Sequence, residues 1–120
     1  MPARETGRVV HLELHTRALD DARGFYAGLC GWREQQVHTP AGVYRALELG
    51  VAIGGGIVDC PISHPLWLPY IAVRDIEEAT ERARLLGAKV MLAPREGPSG
   101  WRSVVSSQAG GEIAFWQGKR

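Results

Sequence analysis

Cysteine is scarce in this chain. Cys30 and Cys60 are the only two in 120 residues, too few for a disulfide framework and too far apart in sequence for a paired zinc motif. No apolar run approaches the ~20 residues needed to cross a bilayer. The opening Met1-Pro2-Ala3-Arg4-Glu5-Thr6-Gly7-Arg8 has no apolar signal core. Neither sign of charge dominates, since 14 Lys and Arg against 13 Asp and Glu leave a net charge of +1. That balance excludes a strong electrostatic grip on nucleic acid or on an anionic membrane as the main activity. Together these absences predict a cytoplasmic protein with reduced thiols. What is present is a 45% hydrophobic, 22% charged composition, that of an ordinary folded domain, at a length that suits one domain.

The chain reads as two similar halves. Val9 to His15 alternates strictly, with Val10, Leu12 and Leu14 on one face and Val9, His11, Glu13 and His15 on the other, the pattern of a half-buried strand. Leu19, Ala22, Phe25, Tyr26 and Leu29 form the apolar stripe of a helix. Asp20 and Asp21 suit the positive end of that helix, and Gly31 stops it. Strands are expected at Trp32 to His38, Val43 to Leu49 and Val51 to Val58. The second half repeats this order. A strand from Trp67 to Val73 precedes a helix beginning near Asp75 and ending at Gly87. Strands at Lys89 to Ala93, Trp101 to Ser106 and Glu112 to Trp116 follow. Leu19-Asp20-Asp21-Ala22 matches Ile76-Glu77-Glu78-Ala79. A unit this small cannot bury its own sheet face, so two units should pack together as one α+β domain.

With Val10, Leu12, Leu14, Ile71 and Val73 beneath the helices, the opposite faces look into whatever the sheets enclose. That places His11, Glu13 and His15 with Leu68, Tyr70 and Ala72, and with Glu112, Ala114 and Trp116. Apolar walls with a few polar groups suit a small-molecule site. Glu13 beside His11 and His15 reads either as an acid–base couple able to take a proton next to a carbonyl or as a satisfied polar cluster. Trp67, Trp101 and Trp116 are candidate aromatic walls, and Trp32 a candidate core residue. Gly54-Gly55-Gly56 lacks the lysine and following helix of a phosphate loop, and indicates a close backbone approach or a bulge. Cys30 sits at a helix C-terminus, where the dipole disfavours a thiolate.

The run His11-Leu12-Glu13-Leu14, then Phe25-Tyr26, then Leu29-Cys30-Gly31-Trp32, resembles the opening of the vicinal oxygen chelate superfamily. This superfamily holds the glyoxalase, bleomycin-resistance and extradiol dioxygenase proteins. Trp67-Leu68-Pro69-Tyr70-Ile71-Ala72-Val73, Leu86-Gly87-Ala88, Pro94 and Gly110-Gly111-Glu112-Ile113-Ala114 extend the resemblance over nearly the whole chain. The resemblance implies paired βαβββ modules, about 8–58 and 66–117, forming an open, U-shaped mixed sheet with helices on its outer face. It also implies a homodimer.

The superfamily's metal enzymes take one ligand from each of four strands. Here the first position is matched by His11. The others fall on Gly54 or Gly55, on Leu68 or Tyr70, and on Ala114. One ligand of four survives, and a nonstandard set would have to draw on Glu13, His15 or His64. The expected function is therefore that of a glyoxalase- or bleomycin-resistance-like protein binding a small organic molecule without a cofactor. His11 and Glu13 would act as acid–base residues, with His15, Trp67, Leu68, Tyr70, Trp101, Glu112 and Trp116 around the ligand. The alternative is a divalent-metal-dependent lyase or dioxygenase built on His11.

Overall fold

A computed structural model describes residues 7–119. Most of the N-terminal stretch read above for a signal core lies outside the described residues. The elements are β1 (Val9–Thr16), α1 (Leu19–Cys30), β2 (Glu34–Thr39), β3 (Gly42–Leu47), β4 (Gly54–Asp59), β5 (Leu66–Ala72), α2 (Ile76–Leu85), β6 (Lys89–Glu96), β7 (Gly100–Ser107) and β8 (Gly111–Gly118). The fold is α+β, and each half runs βαβββ. The chain forms two compact units, one His11–Leu68, the other taking the chain up to Val10 and from Pro69 onward. The division falls inside β1 because the residues before it ladder onto β5. Gly7 N–H donates to Ala72 O, and Ala72 N–H to Arg8 O, both at 2.8 Å.

In the first unit the strand order is β2-β3-β4-β1. β1 and β4 are parallel, with His11 opposite Gly54 and Glu13 opposite Gly56. Leu14, Leu47 and Ile57 form the core, and Leu19, Ala22, Tyr26, Trp32, Leu49 and Trp67 pack against it. α1 ends where expected. Gly31 sits at φ 70, and its N–H donates to Ala27 O, a left-handed cap that glycine adopts without steric cost. The α1 stripe is narrower than the spacing suggests. Phe25 and Leu29 are 59% and 66% exposed, because at ~100° per residue they fall on the flank of the Leu19–Ala22–Tyr26 line. β4 begins at Gly54 rather than Val51. Val51 and Ala52 instead make a tight turn closed by the Gly50–Ile53 bridge, with Ala52 at φ 66.

In the second unit the order is β5-β8-β7-β6. β5 and β8 are parallel, with Tyr70 opposite Ala114. Asp75 caps α2 by accepting from Glu78 N–H at 3.1 Å, so the helix starts at Ile76, as α1 starts at the matching Leu19. Glu77 and Glu78 in its first turn, with Arg82 and Arg84 in its last, oppose the helix dipole. Under α2 two buried hydroxyls satisfy each other. Thr80 donates to Ile76 O at 2.6 Å, which leaves Ser103 to donate to Thr80 Oγ1 at 2.7 Å. Val73, Ile113 and Phe115 face α2 across a groove, as the alternation implied.

Asp75→Ala should lower the unfolding free energy by about 1 kcal/mol. Urea melts at unchanged slope measure this, and an unchanged midpoint would show that the cap is not holding α2.

Candidate functional site

The site is built on the odd-numbered face of β1. His11, Glu13 and His15 alternate outward there because Leu12 and Leu14 turn the other way. A fourth residue joins them from β3. The Tyr44 side chain crosses β4 and brings its hydroxyl 2.6 Å from Glu13 Oε2 and 2.9 Å from His11 Nε2. β4 lies between β3 and β1, so this reach needs a gap in β4. Gly56 supplies it, since a Cβ there would fall on the Tyr44 hydroxyl. The neighbouring Gly55 is equally constrained, because a Cβ there would meet the Leu49 side chain and Leu47 O. The triple glycine is thus a close-approach device, as the absence of a phosphate-loop lysine suggested.

The hydrogen bonds have one consistent direction. Ionised Glu13 can only accept. Tyr44 O–H donates to its Oε2, and His15 Nε2–H donates to its Oε1 at 2.8 Å. Tyr44 has spent its one proton, so its oxygen accepts from His11 Nε2–H. At the far end, Cys60 Sγ lies 3.8 Å from His15 Nδ1. Burial, with the negative charges of Asp59 and Glu13, pushes the Cys60 thiol above the usual range, so it stays S–H and donates. Both imidazoles then carry their proton on Nε2 when neutral, and Nδ1 carries the lone pair. The Glu13 carboxylate also lies 3.8 Å from His11 Nε2.

Only part of this chain meets open space. A cavity of about 770 Å³ is lined by His11, Tyr44, Gln35, Val37, Ala46 and Glu48 among others. Glu13, 5% exposed, does not line it but lies behind Tyr44. His15 sits farther along β1 beside Cys60. Glu13 therefore acts on the cavity through His11 and Tyr44.

Two of the expected aromatic walls lie elsewhere. Trp67 is odd-numbered on β5 and turns to the helix side. There it donates to the Tyr26 hydroxyl at 3.2 Å and meets Tyr26 and Trp32 edge-on, at ring centroids 5.4 and 5.9 Å apart. Trp101 shares the β7 face of Ser103, which packs under α2, and Lys119 lies 5.8 Å from its ring centroid. In the second unit Tyr70 is buried and accepts from Arg102 Nη1 at 3.2 Å. Trp116 stands opposite Arg102 and Glu112 opposite Ser106. Leu68 is almost wholly buried, and His64 is exposed. Tyr44 was not singled out from the sequence. The available signal was an aromatic on the strand before a glycine run, since aromatics cover glycines on neighbouring strands.

No family model matches the chain. It is 27% identical over 117 residues to the protein named "Putative glyoxylase CFP32" in Mycobacterium tuberculosis and in Mycobacterium bovis. The match covers 91% of this chain and 45% of that relative, so the chain spans less than half the relative's length. Among solved structures, hypothetical protein BH1468 from Bacillus halodurans superposes with a TM-score of 0.69 at 16% identity, covering 95% of this chain and 96% of that one. Methylmalonyl-CoA epimerase from Mycobacterium tuberculosis gives 0.63 at 15% identity, covering 97% and 91%. These superpositions show a shared fold.

The four-strand metal centre of vicinal oxygen chelate enzymes does not fit this chain's residues. His11 stands opposite Gly54, and Tyr70 opposite Ala114. Glycine and alanine offer no donor. Among the described residues no three His, Cys, Asp or Glu side chains are placed to hold a metal. The Nε2 atom of His11 is engaged by Tyr44, and that of His15 by Glu13.

Gly56→Ala should destabilise the protein by about 2 kcal/mol by driving Tyr44 off Glu13. In a Tyr44→Ala background the same change should cost less than half as much, as equilibrium denaturation would show; equal costs would refute the Gly56 gap. Iodoacetamide near pH ~8 should modify exposed Cys30 well before Cys60, read by peptide mass mapping. Preferential labelling of Cys60 would contradict the shielded S–H.

Proposed function

We propose that this chain binds a small, carbonyl-bearing organic molecule in the His11–Tyr44 cavity without a metal. The observation that carries this reading is the directed chain from Cys60 to His11, which ends at a ring lining the cavity. His11 is the group that meets the ligand. Its Nδ1 lone pair accepts a hydrogen bond from an acidic N–H or O–H, or takes a proton from carbon next to a carbonyl. In the second case the C–H bond breaks and an N–H bond forms, while the electron pair moves to the carbonyl oxygen. The imidazolium so formed is stabilised by the buried carboxylate of Glu13, 3.8 Å away. Glu13 and Tyr44 hold the ring with Nε2 protonated, so Glu13 is a positioning residue.

The relatives support the class of function. One is named a glyoxylase and another a methylmalonyl-CoA epimerase. A homodimer in the reducing cytoplasm completes the proposal, consistent with two cysteines that are both free.

The test combines elemental analysis with ligand binding. Protein purified from metal-supplemented medium should carry less than about 0.1 equivalent of any transition metal per chain. A thermal-shift screen of 2-oxo acids, 2-oxo aldehydes and 1,2-diketones should yield a ligand that stabilises wild type by about 8–14 °C at ~100-fold excess over its Kd. The shift should vanish in His11→Ala. Stoichiometric metal lost in His11→Ala would overturn the metal-free reading, and a ligand shift unaffected by that substitution would overturn the site.

A further inference from the structure

The second unit carries a row of side chains that the His11 chain does not use. Its strands pair so that Arg95 stands opposite Arg102, Arg102 opposite Trp116, and Trp116 opposite Ala72. Residues directly opposite in a sheet share a face, with Cβ atoms about 5 Å apart. Two arginines therefore stand side by side next to an indole.

Like charges directly opposite one another destabilise a strand pair. Neither arginine makes an ion pair with a carboxylate among the described residues. Glu96, adjacent to Arg95, points to the other face beside Trp101, and Lys119 Nζ takes it at 2.9 Å. Glu112 shares the face of Trp116 but stands opposite Ser106, about 13 Å along β7 from Arg102.

Arg102 is half-buried and Arg95 exposed. Arg102 Nη1 donates to the buried Tyr70 hydroxyl at 3.2 Å, which fixes the guanidinium. A guanidinium carries five N–H donors in a rigid fork, and this contact engages one. The Trp116 ring leans over Gly100, where a Cβ would strike it. The row thus offers a fixed cationic fork, a second cation at its rim and a flat apolar surface alongside.

We propose that Arg95 and Arg102 bind the oxyanion of a small organic ligand, a carboxylate or a phosphate monoester on a planar group that lies against Trp116. Arg102 is the anchor, because its guanidinium is half-buried and held by Tyr70. Arg95 adds charge at the open edge. The site is independent of the His11 reading.

The experiment titrates isotope-labelled protein with phenyl phosphate, benzoate, inorganic phosphate and phenol. It follows the Trp116 indole N–H resonance, identified with Trp116→Phe. A saturating shift is expected with phenyl phosphate or benzoate and not with phenol, and the tighter of the two anions identifies the oxyanion. R102Q should weaken binding about tenfold or more, R95Q less, and His11→Ala not at all. R102K, which keeps the charge but loses the fork, should fall between wild type and R102Q.

Folding is controlled by melting. Without anion, R95Q should melt above wild type, since it removes one of two like charges, and phenyl phosphate or benzoate should close that gap. A signal that does not saturate, or binding equally tight in R102Q and R95Q as in wild type, would overturn the proposal. Inorganic phosphate binding as tightly as the aryl anions would overturn the part assigned to Trp116.

Discussion

Tyr44 reaching across β4 to Glu13 is the contact on which the rest of the first unit's chemistry depends. A buried carboxylate is costly unless its oxygens are satisfied by donors. Glu13 receives Tyr44 on one oxygen and His15 on the other. Those two bonds dictate the remaining proton positions. The Tyr44 oxygen becomes the acceptor for His11, and His15 Nδ1 becomes the acceptor for Cys60. Removing the Cβ at position 56 is what lets a β3 side chain reach a β1 carboxylate over the strand between them. A backbone feature thereby sets which nitrogen of His11 carries the lone pair.

The second half uses the same device with different chemistry. Its β7 and β8 correspond to β3 and β4, and its β5 to β1. Tyr44 passes over Gly56 to Glu13, and Arg102 on β7 reaches Tyr70 on β5 across β8. In both, a long side chain of the third strand crosses the fourth to reach a polar group of the first. The first half encloses a carboxylate held by two hydrogen-bond donors, whereas in the second no carboxylate among the described residues pairs with Arg102. One βαβββ plan thus carries a hydrogen-bonded carboxylate in one unit and an arginine anchored by a tyrosine in the other.

Much of this was legible in the sequence. The period-two run through His11, Glu13 and His15 and the glycine stop at Gly31 follow from local backbone geometry and fall in place, while of the five-residue α1 stripe Leu19, Ala22 and Tyr26 pack on the core and Phe25 and Leu29 stay exposed. The helix expected from near Asp75 starts at Ile76, with Asp75 as its cap. Tyr44 was not legible, because its role depends on the register of β3 against β4 and on a missing Cβ, both non-local. Alternation with Ile71 and Val73 already places Trp67 on the helix side, whereas Trp101 takes that side only through the pairing of β7 with β8. The burial of Glu13 likewise depends on what Tyr44 covers, which no β1 pattern contains.

The central claim is the direction of the hydrogen-bond chain, and the tautomer of His11 reports it most directly. Long-range proton–nitrogen NMR spectra at about pH 8, where imidazoles are mostly neutral, distinguish the two ring nitrogens. The account predicts that His11 and His15 are both protonated on Nε2. It further predicts that in Tyr44→Phe the His11 ring loses this fixed state and samples both tautomers, while His15 keeps its own. A His11 ring protonated on Nδ1 in the wild type, or one unchanged in Tyr44→Phe, would contradict it.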